Sequence, residues 1–215
     1  MLFDMDGTLV DSEKLWDVAL QELAAFYGGE LSEAARKAII GTSMAASMRI
    51  VHDDLGQPER DPQASAEWIN ARILELFRSG LRWRPGAMAL LRAVRAADIP
   101  TALVTSSGRP LVEVALDTLG RDSFDAVVCG DEVGAAKPHP EPYLTAARLL
   151  GVPIERCVAI EDSPTGVASA LAAGAAVLAV PAEVPLAPAD GVHQVESLTA
   201  ADLELLSALL GERPA

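Results

Sequence analysis

At 215 residues the chain has room for one substantial core and a smaller insert, and half of its residues are hydrophobic, which excludes a disordered chain. A net charge of −14 with no basic stripe excludes nucleic acid as a partner and disfavours an anionic membrane surface. A small anionic ligand stays admissible, because a few local cations and a metal outweigh a global field.

The chain opens on a short apolar run that ends in Asp4 and is followed by Asp6-Gly7-Thr8. Alternate residues of a strand point the same way, so a strand that stops here carries Asp4 at its tip and throws Asp6 onto the loop beyond. Two carboxylates that close repel, and burial would raise the pKa of one of them; a hard divalent cation such as Mg2+ removes that penalty. Alone, the same run also fits an ordinary acidic turn. Asp11 is expected to brace this turn.

From Ser12 the pattern is helical for about seventy residues. Ser12 is expected to cap a helix carrying Leu15, Val18, Ala19, Glu22, Leu23 and Phe26, which closes at Gly28-Gly29. Further helices are expected over Ser32–Ile40, Ser43–Leu55 and Asp61–Ser79, and the block shows no alternating strand pattern. Residues 12–81 therefore read as an all-helical insert. Within it, His52 beside Asp53 and Asp54 reads as a solvated face. Trp68, Phe77 and the neighbouring Trp83 read as packing residues.

From Pro85 helices and strands alternate. Helix Gly86–Ala97 leads to strand Ile99–Thr105, and helix Pro110–Leu119 to strand Phe124–Cys129. Helix Pro140–Leu150 leads to strand Cys157–Ile160, helix Pro164–Ala173 to strand Ala176–Val180, and a last helix, Ala200–Leu210, follows. Short, two-sided apolar strands separated by helices predict an α/β fold, a doubly wound, Rossmann-like parallel sheet, built from residues 1–11 and 82–215. Cys129 and Cys157 fall in separate strands and are expected as buried free thiols, with a cytoplasmic setting. With no Cys-x-x-Cys pair and three scattered histidines, no zinc site is expected. No stretch is long and apolar enough for a membrane span, and no charged-then-apolar leader opens the chain.

In such sheets function collects at the carboxyl ends of strands, near the point where the strand order reverses. Polar residues stand at four of those ends. They are Asp4 with Asp6, then Thr105-Ser106-Ser107-Gly108, then Gly130-Asp131-Glu132 followed by Lys137-Pro138-His139-Pro140, and finally Glu161-Asp162-Ser163. Each has a plain alternative: Thr105 and Ser106 as helix caps, Lys137 as a surface lysine, Glu161-Asp162 as an acidic turn before a helix. Four together at consecutive strand ends favour a site.

This order and spacing, from Leu2 to about Pro181, resembles the haloacid dehalogenase superfamily, in particular its phosphatase and phosphoglucomutase-like subgroup with a helical cap. The resemblance implies that Asp4 is a nucleophile that becomes phosphorylated and that Asp6 is the general acid and base. Thr105, Ser106 and Lys137 would hold the phosphoryl group, and Asp4, Asp6 (through its carbonyl), Glu161 and Asp162 would hold Mg2+. Elementary chemistry asks for the same types. A carboxylate nucleophile splits hydrolysis into two displacements, a second carboxyl supplies and recovers the proton, and cations offset the phosphate charge.

Within that superfamily, a carboxylate two residues after the nucleophile argues against dehalogenation, since a departing halide needs no proton. Phosphoglucomutases carry a cap histidine and a cap arginine at positions that align with Trp16 and Met44, so water is the expected acceptor and a mutase the runner-up. Phosphonoacetaldehyde hydrolysis would need a Schiff-base lysine in the cap, where only Lys14 and Lys37 stand, in no recognised motif. A non-catalytic relative would have lost one of Asp4, Asp6, Lys137 or Asp162. By the same resemblance Glu13, Trp16, Gly41, Thr42 and Met44 would face the leaving group, with hinges near Asp11-Ser12 and Gly80–Pro85. The expected substrate is a small phosphorylated sugar, polyol or similar metabolite, and the expected state a monomer.

Overall fold

The first strand is only two residues long, yet it lies inside the sheet. In the computed structural model, which describes residues 1–39, 42, 44–182 and 185–211, β1 (Leu2–Phe3) is followed by four helices, α1 (Glu13–Phe26), α2 (Glu33–Ile39), α3 (Met44–Asp54) and α4 (Pro62–Arg78). Next come α5 (Ala87–Ala96), β2 (Ala102–Val104), α6 (Arg109–Leu119), β3 (Ala126–Val128) and α7 (Glu141–Leu150). The remaining elements are β4 (Val158–Glu161), α8 (Pro164–Ala173), β5 (Ala176–Ala179), β6 (Val192–Gln194) and α9 (Leu203–Gly211). The chain divides into two compact units, one formed by Met1–Asp11 with the chain from Leu81 onward, the other by Ser12–Gly80.

The six strands are parallel and ordered β3-β2-β1-β4-β5-β6. That is the doubly wound arrangement, and its order reverses between β1 and β4. Phe3 pairs with Leu103 on one side and Ile160 on the other, so Asp4 and Glu161 are the next residues along neighbouring strands. The Asp4 amide donates to the Ile160 carbonyl at 3.0 Å, which carries the ladder one residue past the strand. Leu2, Phe3, Leu103 and Ile160 are fully buried, each contributing about 1.5–3 kcal/mol by the area it removes from water. Alternation sends Leu2, Ala102, Val104 and Ala159 into one core with Tyr143, Ala146 and Ala170 of α7 and α8. On the sheet side α9 packs against β4 and β5 and also meets α5.

Two expectations change here. The sequence pattern stops at the fifth strand, whereas β6 pairs with β5 from Val177↔Val192 to Ala179↔Gln194. Its His193 and Gln194 are exposed, so no apolar run announced it. Ser12 does not cap α1 through its side chain: its own backbone is already helical, at φ −90° and ψ −19°, and its carbonyl accepts the Leu15 and Trp16 amides. A capping hydroxyl needs an extended backbone to turn toward those amides.

The helical unit is an amphipathic assembly in which α1 packs on α4, α3 on α4 and α2 on α3. Asp61 caps α4 by accepting the Gln63 amide at 2.9 Å, and Pro62 occupies the first turn. His52 is a correction to the sequence reading. It is buried against α4, where its Nε2 meets Ser65 Oγ at 2.8 Å, and that hydroxyl meets Tyr27 Oη at 2.6 Å. Asp53 and Asp54 take the exposed side of the same turn, so the charged neighbours hid a core histidine.

Candidate active site

Three strand ends and one loop converge on the Lys137 ammonium. It donates to Asp4 Oδ1 at 2.7 Å, to Glu161 Oε1 at 2.6 Å and to the Val104 carbonyl at 2.9 Å, with its side chain 4% exposed. The loop that delivers it is pinned from α7 and α8. The Glu141 carboxylate accepts the Gly134 and Ala135 amides, and Ser169 Oγ donates to the His139 carbonyl at 2.6 Å. Lys137 is thus no surface lysine.

Burial pushes Asp4 up to about 7, against the pull of Lys137 and with some help from Glu161. For Lys137 burial acts in the opposite sense, but the two carboxylates outweigh it and hold the ammonium above the ordinary lysine range. Tyr143, fully buried on α7, donates to Glu161 Oε1, and burial followed by that carboxylate raises its pKa well above 10.0. Glu161 Oε2 accepts the Asp162 amide at 3.2 Å and Ser163 Oγ at 3.4 Å. Both oxygens of Glu161 therefore hold neighbours in place.

Asp162 accepts from Thr8 Oγ1 at 3.4 Å. A Cβ at Gly7 would lie 2.1 Å from Asp162 Oδ2, and Gly7 has φ +77°, so space and backbone alike require glycine. A Cβ at Gly166 would come within 2.0 Å of the Glu161 carboxylate, which lets the first turn of α8 press on it.

Asp4, Glu161 and Asp162 are buried with one oxygen each inside a 4.8 Å cluster. The Lys137 ammonium pairs with two of these three carboxylates, those of Asp4 and Glu161, and Asp4 Oδ2 has no hydrogen-bond partner among the described residues. Three buried carboxylates with oxygen-only donors so close together suit a hard divalent cation, and the residues fit Mg2+. The other acidic group, Cys129 with Asp131 and Glu132, is engaged elsewhere: Asp131 accepts the Arg109 amide at the start of α6, and Glu132 pairs with the Arg109 guanidinium. Cys129 is pushed up to about 12, chiefly by burial, so its thiol stays protonated.

Asp6 sits on the loop past β1, where Oδ2 accepts Thr105 Oγ1 at 3.2 Å and Ser107 Oγ at 2.7 Å. Thr105 and Ser106 do not cap α6, whose start is served by Asp131, and Ser163 caps α8 by accepting the Gly166 amide at 3.1 Å. Ser106 is exposed at the same strand end. Among the residues singled out in the sequence, Asp4, Lys137, Glu161 and Asp162 are joined in one group by these contacts and Asp6 with Thr105 in another. Glu13 and Trp16 lie on α1, Met44 opens α3, and the Thr42 hydroxyl meets the Ile39 carbonyl and Ser47 Oγ, each at 2.8 Å; all four belong to the helical unit. Gly41 lies outside the described residues. Ser107 and Tyr143 escaped the sequence reading as site residues. Ser107 stood in a run already marked as a strand end, whereas nothing local marks Tyr143.

Residues 1–174 match the family model of haloacid dehalogenase-like hydrolases. Hexitol phosphatase A of Escherichia coli (strain K12) is 37% identical over 214 residues, covering 92% of each chain. Among solved structures, a HAD hydrolase of family IA, variant 3, from Entamoeba histolytica superposes with a TM-score of 0.85 at 25% identity, covering 98% of each chain. CbbY from Rhodobacter sphaeroides in complex with phosphate gives a TM-score of 0.80 at 28% identity, over 96% of this chain and 97% of that one. Among the described residues no helix is long and apolar enough to cross a membrane.

Proposed function

Because this chain belongs to the haloacid dehalogenase-like hydrolase family, where it is a phosphoric monoester hydrolase, we propose that it is a Mg2+-dependent phosphatase acting through an aspartyl-phosphate. The carrying observation is the ammonium of Lys137 tied to both Asp4 and Glu161 at the strand-order reversal. An ammonium fixed among carboxylates balances part of the charge that a phosphate dianion brings.

An oxygen of Asp4 attacks phosphorus, and the bond from phosphorus to the substrate oxygen breaks. Asp6, as the carboxylic acid, gives that oxygen its proton, so the alcohol leaves neutral. Water then attacks the phosphoryl group, Asp6 takes a proton from it, and the bond to Asp4 breaks to release inorganic phosphate. Thr105 and the Ser106 amide donate to phosphoryl oxygens, and Lys137 keeps its charge throughout. Mg2+, held by Asp4, Asp162, Glu161 and the Asp6 carbonyl, would supply charge neutralisation and align the phosphate. The helical unit is the cap: Glu13, Trp16, Thr42 and Met44 select the leaving group, and Asp11-Ser12 and Gly80–Pro85 are its hinges.

The substrate class is a small phosphorylated sugar or polyol, a reading supported by 37% identity to a protein named for hexitol phosphate hydrolysis. A monomer in the cytoplasm with two buried free thiols completes the reading. The test is a panel of hexitol, pentitol and aldose phosphates assayed for inorganic phosphate with Mg2+ and with excess chelator, on the parent and Asp4→Asn. Phosphate release that needs Mg2+ and is lost in Asp4→Asn is expected, since an amide is a poor nucleophile. Turnover that persists in chelator or in Asp4→Asn overturns the mechanism. Conversion of beta-glucose 1-phosphate to glucose 6-phosphate faster than phosphate release would instead establish a mutase.

A further inference from the structure

The first turn of α7 holds both the loop that carries Lys137 and the ion pair that Lys137 makes. At Glu141 the carboxylate accepts the Gly134 and Ala135 amides, at 2.8 and 2.9 Å. Two residues on, Tyr143 turns inward and is fully buried. Its hydroxyl donates to Glu161 Oε1, and the Lys137 ammonium stands over its ring, 5.1 Å from Nζ to the ring centroid. Val104, Ala146, Ala147 and Ala159 belong to the same core cluster, so packing fixes the phenol and thereby aims its hydroxyl. Tyr143 meets both members of the pair.

We propose that Tyr143 is a positioning residue for the acidic cluster: its hydroxyl locks the Glu161 carboxylate in place, so that Asp4, Glu161 and Asp162 are ordered before Mg2+ binds. This rests on reading those three as the Mg2+ site of a phosphatase. The protons of the Lys137 ammonium go to Asp4 Oδ1, Glu161 Oε1 and the Val104 carbonyl. An ammonium on a flexible stem is by itself a weak anchor for a carboxylate. Tyr143 adds a second donor on the same oxygen, from a rigid ring on the core side. On the other oxygen, the Asp162 amide at 3.2 Å and Ser163 Oγ at 3.4 Å make longer contacts. The phenol therefore keeps Glu161 from swinging with the ammonium. A buried phenol also needs a hydrogen-bond partner. If Glu161 met only that need, the metal site would not register loss of the hydroxyl.

The test titrates Mg2+ calorimetrically into the metal-free, full-length protein as parent, Tyr143→Phe and Leu206→Ala. Tyr143→Phe keeps the ring and deletes only the hydroxyl. Leu206→Ala is the control for lost stability, since Leu206 is buried in α9 outside the cluster that holds Tyr143. In Tyr143→Phe the Kd for Mg2+ should rise about 10- to 100-fold, the range for loss of a group that supports a metal ligand. The gain in Tm on adding a fixed concentration of Mg2+ should shrink with it. Leu206→Ala should lower the metal-free Tm through the cavity it leaves, yet keep the parental Kd. At saturating Mg2+, kcat of Tyr143→Phe on the phosphomonoester that the panel turns over fastest should return close to the parental value.

An equal rise of Kd in Leu206→Ala would overturn the proposal, because lost stability alone would then account for the effect. A kcat that stays low at saturating Mg2+ would overturn it as well, since the hydroxyl would then serve the reaction rather than the order of the site. If the parent takes up no Mg2+, the reading of the cluster fails and this role with it. If the parent binds Mg2+ and Tyr143→Phe binds it as tightly, the role of Tyr143 alone fails.

Discussion

In the sheet unit the buried polar groups include ions: Asp4, Glu161 and Asp162 meet at strand ends around the Lys137 ammonium. Among the described residues of the helical unit the buried polar groups, Ser12, Ser47, His52 and Ser65, carry no formal charge when His52 is neutral, and charged pairs such as Arg72–Glu22 and Arg36–Asp17 lie on the surface. A neutral polar group is satisfied by one or two hydrogen bonds at modest cost, while each buried ion costs several kcal/mol in lost hydration. A fold keeps such ions where chemistry uses them, and perturbed groups cluster for that reason. The contrast says where a substitution should affect activity and where only stability.

Lys137→Met should produce the largest effect. Removing the ammonium leaves Asp4 and Glu161 without their buried cation, a loss of about 3–5 kcal/mol for breaking a buried pair, read as a lower denaturant midpoint. Phosphatase turnover should vanish with it, and Mg2+ should return part of the stability. A variant as stable as the parent without Mg2+ would break the contrast between the units.

His52→Gln sharpens it on the other side. Burial, and next the Arg60 guanidinium, hold the His52 pKa below 6.5. The folded protein therefore takes up this proton less readily than the unfolded chain, so His52 lowers stability as pH falls below the unfolded-state value of about 6.5. The parent's Tm should drop more than the variant's between about pH 7.5 and about pH 5, with Asp53, Asp61 and Arg60 unchanged in both. Equal drops would mean that this histidine does not sense the interior of its unit.

The smallest change belongs to the surface. Arg72 pairs with Glu22 and Glu75 with its side chain 31% exposed, and such pairs are worth about 0–1 kcal/mol. Arg72→Ala should leave phosphatase activity intact and lower the unfolding free energy by less than about 1 kcal/mol, and by less still in high salt. A larger loss would show that the helical unit also depends on its ions.

Much of this molecule was legible from residue order alone. Apolar runs separated by helices announce a parallel sheet, and Asp4, Thr105, Lys137 and Glu161 are visible at strand ends because the pattern places those ends. The helix at Pro164–Ala173 stands where the sequence put it, bracketed by Ser163 and Gly174. Strand limits shifted by up to three residues, as between Ile99–Thr105 in the pattern and Ala102–Val104 in the ladder, because a strand ends where its partner's hydrogen bonds end.

What the chain order could not reveal depends on contacts far apart along it. Tyr143 became a partner of Glu161 because α7 lies across the sheet, and Lys137 reached Asp4 across a sequence separation of 133. The buried state of His52 came from α4 closing over α3, although its neighbours Asp53 and Asp54 read as solvent-facing. Local sequence sets which conformations a segment prefers and which residues can share a face. Burial, and with it the pKa of Asp4 and the pairing of Ser107 with Asp6, arises only when distant segments exclude water from the same small volume.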